Sequence, residues 1–214
     1  MGGVSKPNIK LGGKTLFEYV LDAFCQSNID EIVVVCSEDN RESLTELSKN
    51  VTKPVSFVLG GKTRAQSVKN GVSASGIETK IVCVHDCARP FITPSVINRA
   101  IESACKTGAS CVCSAVTDTL KGISPKDGTV YTLDRSRIFA VQTPQCFKKS
   151  LYFEACESSG DLFDSFTDET SLLEHHGVSV EYVKNEEINL KLTTKSDIEL
   201  AEGLITLKNS KKGG

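Results

Sequence analysis

Short runs of β-branched and apolar residues alternate with helix-forming stretches along most of the chain, and this alternation sets the class of fold. Leu16, Val20 and Phe24 recur every four residues, so Thr15 to Asn28 reads as a helix. Glu31 to Cys36 (EIVVVC) is short and rich in β-branched residues, which predicts a buried strand. Ser37 to Lys49 is polar and helical. Val55 to Leu59 is a second strand that ends at Gly60-Gly61, and Thr63 to Ser73 opens a helix directly after those glycines. Lys80 to Val84 is a third strand ending at His85-Asp86, and Pro94 to Lys106 is a helix with proline near its start. Ser110 to Val116 is a fourth strand. Phe147 to Ser158 and Asp168 to His176 are helical, Val178 to Val183 is a late strand, and Lys195 to Leu207 closes the chain as a helix.

Strands separated by helices predict an α/β fold with a mostly parallel sheet and helices on both faces. Lys121 to Arg137 departs from the alternation. Gly122, Pro125, Asp127 and Gly128 sit between two β-like runs, so this stretch reads as a hairpin-like excursion. At 214 residues, with neither an internal repeat nor a linker, a single domain is expected over residues 1–214.

Charge and cysteine content narrow the function. The formal net charge is -2, which gives no electrostatic footprint for nucleic acid. A phosphate ligand would have to be held by a few placed cations. Nine cysteines are present, but Cys83-x-x-x-Cys87 and Cys111-x-Cys113 lack the paired C-x-x-C blocks of a zinc site. Cys36, Cys83, Cys111 and Cys113 lie inside apolar runs, where cysteine is a small core residue. Reduced thiols and a cytoplasmic setting are expected. No apolar run reaches the ~20 residues of a membrane span.

In such a fold, ligands bind beyond the carboxyl ends of the strands. The exits therefore carry the candidate chemistry. Gly60-Gly61 lets a ligand approach the backbone, and Arg64 and Ser67 lie three apart on the helix that follows. A tight turn with a helix cap accounts for the same residues. Asp86 stands at the next exit, where a carboxylate suits Mg²⁺ or a ribose hydroxyl, and Arg89 offers a fork for phosphate. An Asp-Arg pair that stabilises the loop is the competing reading. His85 reads as a packed or hydrogen-bonded histidine. Gln142-Thr143-Pro144-Gln145 suggests a shaped loop beside Asp134-Arg135. Thr167 or Asp168 suits an N-cap, and Lys191 is either a surface lysine or a site cation.

In order and spacing these residues form a recognisable set. Gly61, Arg64, Ser67, Asp86, Ala88-Arg89-Pro90, Asp118-Thr119, Asp134-Arg135, Thr143-Pro144-Gln145, Thr167-Asp168-Glu169 and Asn189-x-Lys191 run from one end of the chain to the other. The run resembles that of the 2-C-methyl-D-erythritol 4-phosphate cytidylyltransferases, with VHDCARP and QTPQ-x-F as its most specific segments.

The resemblance implies a Rossmann-like sheet and transfer of a cytidylyl group from CTP to methylerythritol phosphate, with release of pyrophosphate and with Mg²⁺ as cofactor. It implies that Lys6 and Lys191 face the α-phosphate as the catalytic cations. Gly61, Arg64 and Ser67 fall on the nucleotide side, and Asp86 holds ribose and metal. Thr119, Arg135 and Thr167 would hold methylerythritol phosphate, with Arg89 near that site. The segment 117–138 would be an arm exchanged across a homodimer. The family opens with a buried strand and a loop of the form A-A-G-x-G-x-R-M-G, whereas this sequence begins Met1-Gly2-Gly3, matching at most the loop's end. A chain starting there is expected to lack a central strand and the triphosphate cradle. Two rivals share most of these motifs: a cytidylyltransferase for ribitol or ribulose 5-phosphate, and a truncated homologue without catalysis.

Overall fold

The computed structural model describes residues 6–210. The match of Met1-Gly2 to a loop end lies outside them. Lys6–Asn8 forms one 3-10 turn and leads into a two-residue hairpin, β1 (Lys10–Leu11) with β2 (Lys14–Thr15). Helix α1 (Leu16–Cys25) follows at once because Thr15 and Glu18 close a capping box: the Glu18 amide donates to Thr15 Oγ1 at 3.2 Å, and the Thr15 amide donates to Glu18 Oε2 at 2.7 Å. Then come β3 (Ile32–Cys36), α2 (Glu38–Leu47), β4 (Val55–Leu59), α3 (Arg64–Ala74), β5 (Ile81–Val84), α4 (Pro94–Thr107) and β6 (Ala109–Ala115). The chain continues through the hairpin β7 (Lys121–Ile123) and β8 (Val130–Thr132), β9 (Phe139–Lys148), α5 (Lys149–Ser159), α6 (Glu169–His175), β10 (Glu181–Lys184) and α7 (Lys195–Ser210).

Four strands pair in the order β10-β6-β9-β5. β6 and β10 are parallel, while β9 runs antiparallel to both β6 and β5. The expected mostly parallel α/β sheet is thus crossed by one long antiparallel strand. That strand also corrects the sequence reading of residues 142–145 as a loop: they lie within β9, where Gln145 pairs with both neighbours and 142–144 form an irregularity. Pro144 is accommodated by a cis peptide after Thr143, opposite a register shift between Cys111 and Cys113.

Helices cover both faces, and β5 shows it residue by residue. Ile81 and Cys83 pack with Phe24 of α1 and with Val96, Ile97 and Ala100 of α4. Val82 and Val84 point the other way, to a cluster with Val72 of α3, Tyr152 of α5 and Leu172 of α6. Helix α7 packs beside the first hairpin, joining Leu11, Leu16, Phe91, Leu192 and Ile205. The Leu192 amide also donates to the Ala88 carbonyl at 2.8 Å, which fixes the segment before α7 against the loop after β5.

β3 pairs with β4 in parallel, and neither strand joins the four-stranded sheet among the described residues. Between β3 and β5 lies a cavity of about 740 Å³ lined by Val33, Val35, Val82 and Val84. The strand expected to be buried at residues 31–36 is therefore partly open: Val35 is 38% exposed. At the other extreme, the β7–β8 hairpin stands away from the core. Its Ile123, Val130 and Tyr131 are 70%, 65% and 50% exposed.

Candidate active site

The start of α3 and the loop after β5 lie side by side. Arg64, the first residue of α3, places Nη2 3.9 Å from Oδ1 of Asp86, which lies two residues beyond the end of β5. Lys191 arrives from the segment before α7 and sets Nζ 2.7 Å from Oδ2 of Asp86. Burial pushes the Asp86 carboxyl up. The hydrogen bond from Lys191, with the charges of Lys191 and Arg64, outweighs that and holds it below the ordinary aspartate value. The site thus presents one ionised carboxylate between two cations at a strand edge.

Gly61 and Ser67 build the wall beside Arg64. The Gly61 amide donates to Ser67 Oγ at 3.0 Å, and Ser67 donates to the Thr63 carbonyl at 2.8 Å. A Cβ on Gly61 would fall 2.4 Å from Cβ of Gln66, so the turn admits glycine alone. Thr63 caps α3 by accepting from the Gln66 amide.

His85 orders the loop that carries Asp86. Its Nε2 lies 3.2 Å from the Arg89 carbonyl, which can only accept, so Nε2 carries the proton. Nδ1 then accepts from the Thr143 hydroxyl at 3.0 Å, and the same hydroxyl oxygen accepts from the Asp86 amide at 3.1 Å. Burial drives the ring's pKa down to about 4, keeping it in this neutral tautomer. The sequence reading of His85 as a hydrogen-bonded histidine agrees with this arrangement.

Arg89 braces the lysine segment, donating from Nη1 to the Asn189 carbonyl at 2.8 Å. Asn189 in turn donates to Gln142 Oε1 and to the Thr143 carbonyl, each at 2.9 Å. Residues 142–145 therefore frame the site from within β9. Gln145 continues the frame, donating to Asp168 Oδ2 at 2.9 Å and accepting from the Thr170 amide at 3.0 Å. Asp168 caps α6 through the Ser171 amide at 2.8 Å, the ordinary role that the sequence allowed for it.

The other candidates are all exposed. Lys6 is exposed on its 3-10 turn, Thr167 is exposed before α6, and Thr119 is exposed on the arm. Arg135 donates to the Thr117 carbonyl within the arm. Thr143, Asn189 and Glu169 belong to the sequence motifs without their side chains forming an ion pair with Asp86. Their work is to hold other side chains, which spacing along the chain does not reveal.

This set of residues coincides with a family match over residues 1–207, to the model described as IspD: 2-C-methyl-D-erythritol 4-phosphate cytidylyltransferase. The chain belongs to this family. It is a nucleotidyltransferase by that membership. A family relative from Clostridium tetani, named 2-C-methyl-D-erythritol 4-phosphate cytidylyltransferase, is 36% identical over 213 residues, covering 98% of this chain and 86% of that protein. A bifunctional IspD/IspF enzyme from Anaeromyxobacter is 36% identical over 208 residues, 95% of this chain, and the chain spans about half, 53%, of its length. Among solved family structures, 4-diphosphocytidyl-2C-methyl-D-erythritol synthase from Anaerococcus prevotii superposes with a TM-score of 0.88 at 28% identity, covering 96% of this chain and 92% of that one.

Proposed function

We propose that the Asp86 edge performs the family's reaction: a phosphate oxygen of methylerythritol 4-phosphate attacks the α-phosphorus of CTP, and pyrophosphate leaves. The observation that carries this reading is the convergence of Lys191 and Arg64 on Asp86 in the loop beyond β5. Charge builds on the α-phosphate oxygens as the new bond forms and the old one breaks. A fixed ammonium stabilises that charge more in the transition state than in the bound substrates. Lys191 is assigned this role, with Lys6 as a second cation on the same phosphate. Gly61 and Ser67 offer a backbone and hydroxyl surface to the cytosine, and Arg64 stands on the nucleotide side.

The residues fit Mg²⁺. Among the described residues no cluster of three or more acidic, histidine or cysteine ligands exists, so a full protein cage is absent. Asp86 nevertheless keeps Oδ1 3.9 Å from Arg64, beyond hydrogen-bond reach, on an ionised carboxylate. One carboxylate completed by substrate phosphates is the usual Mg²⁺ arrangement. When bound there, Mg²⁺ supplies neutralisation of phosphate charge.

Thr119, Arg135 and Thr167 are assigned to methylerythritol phosphate, with Arg89 behind that site. Thr119 and Arg135 lie on the arm, and its apolar tip suits burial against a second copy, so a homodimer follows from the reading. A cytoplasmic setting accords with nine free thiols. No helix among the described residues is long and apolar enough to cross a membrane.

The test is pyrophosphate release from CTP with methylerythritol 4-phosphate or ribitol 5-phosphate as acceptor. Turnover with the former and little with the latter supports the reading. Preference for the pentitol phosphate moves the chain to the rival class. No turnover, together with no CTP binding by calorimetry, rejects catalysis by this chain.

A further inference from the structure

Glu169 is a buried carboxylate without an assigned role. It is the first residue of α6 and is 3% exposed. Both its oxygens accept from Arg64: Oε1 from Nη1 at 2.6 Å and Oε2 from Nη2 at 3.0 Å. Burial holds the Glu169 carboxyl above the ordinary glutamate value, with the arginine fork opposing part of that push. The two-point geometry is that of an ionised carboxylate. Tyr152, Phe163, Phe166 and Leu172 line the space beside the pair; Glu169 is buried, while the Arg64 side chain stays 42% exposed. A buried ion pair of this kind adds little stability over an apolar pair of the same size. Its value is in fixing geometry, and the geometry here is specific. The guanidinium sits between two carboxylates yet gives both terminal nitrogens to Glu169, leaving Asp86 Oδ1 at 3.9 Å.

We propose that Glu169 is a positioning residue that holds Arg64 away from Asp86, so that Asp86 stays open to its ligand while the arginine's charge remains beside the nucleotide. This rests on the functional reading above. Glu169 is itself held rigidly. The Gln145 side chain bonds both the neighbouring Asp168 carboxylate and the Thr170 amide, tying the start of α6 to β9. The arginine therefore cannot carry Glu169 with it toward Asp86. Released from Glu169, it has Asp86 as its nearest anion and would close the 3.9 Å gap.

The experiment compares wild type with Glu169→Gln, Arg64→Gln and the double variant. In crystals of the ligand-free Glu169→Gln protein, Arg64 is expected within hydrogen-bond distance of Asp86; an arginine that stays on residue 169 overturns the proposal. This readout stands even if the chain proves inactive, which would reject the functional reading instead. In steady state, Glu169→Gln is expected to raise the KM for CTP and the Mg²⁺ concentration for half-maximal rate about tenfold, leaving the KM for methylerythritol phosphate unchanged. The double variant should match Arg64→Gln, because Glu169 acts through Arg64; additive losses overturn the proposal. A lowered Tm with unchanged kinetics would likewise show a merely structural pair. Should the Gln variant fail to fold, Glu169→Asp keeps the charge with a shorter reach. It is expected to give a smaller shift in both constants, and an unchanged Mg²⁺ requirement would sink the idea.

Discussion

Lys191 Nζ lies 2.7 Å from Asp86 Oδ2, joining the segment before the last helix to the exit of β5. The pair is half-exposed on the lysine side and mostly buried on the aspartate side, so the ammonium is held by the carboxylate yet open to a phosphate.

Lys191→Ala is expected to lower kcat by about 100-fold or more while changing CTP affinity severalfold at most, because the lysine's charge acts mainly on the transition state. Steady-state kinetics with calorimetric CTP binding separates the two. Equal losses in both would remove Lys191 from the chemistry.

Gly61→Ala forces a Cβ to within 2.4 Å of Cβ of Gln66. The start of α3 must shift, at a cost of about 1–3 kcal/mol, and the Gly61–Ser67 wall shifts with it. Urea unfolding should show the loss. Stability equal to wild type would mean that the turn relaxes freely.

His85 makes stability fall in mild acid. Its folded-state pKa of about 4 lies below the ordinary 6.5, so between those values the unfolded chain binds a proton that the folded ring does not. Its contribution is complete above about pH 6.5 and declines toward pH 4, by at most about 3 kcal/mol. Urea titrations at several pH values should give His85→Gln a flatter profile across that window, because glutamine takes up no proton there. Parallel profiles would show that other groups set the slope.

Tyr131→Asp with Ile123→Asp places charge on the exposed apolar face of the arm. Sedimentation velocity is expected to show a dimer for wild type and a monomer for this variant. A monomeric wild type removes the proposed exchange of Thr119 and Arg135 between copies.

The alternation of strands and helices was legible because burial imposes a period on each element; β5 sends Ile81 and Cys83 to one face and Val82 and Val84 to the other. Gly61, Arg64, Asp86 and Lys191 were legible by their order and spacing along the chain, not singly. Strand β9 was missed. Its proline and polar side chains, Gln142 to Gln145, resemble a turn, yet they line the site from within a strand whose register shifts at Pro144. Glu169 was hidden for another reason. Nothing local distinguishes a helix-opening glutamate on the surface from one that reaches across to α3.

The cavity between β3 and β5 leaves each strand with a neighbour on one side only among the described residues. Successive amides in a strand point to opposite sides. Those aimed at β4 or β9 are locked in ladders, and those aimed across the cavity are not. In deuterated solvent the two sets should part, with slow exchange on the laddered side and fast exchange on the other, so that Ile32 to Cys36 and Ile81 to Val84 lose their amide signals residue by residue in alternation.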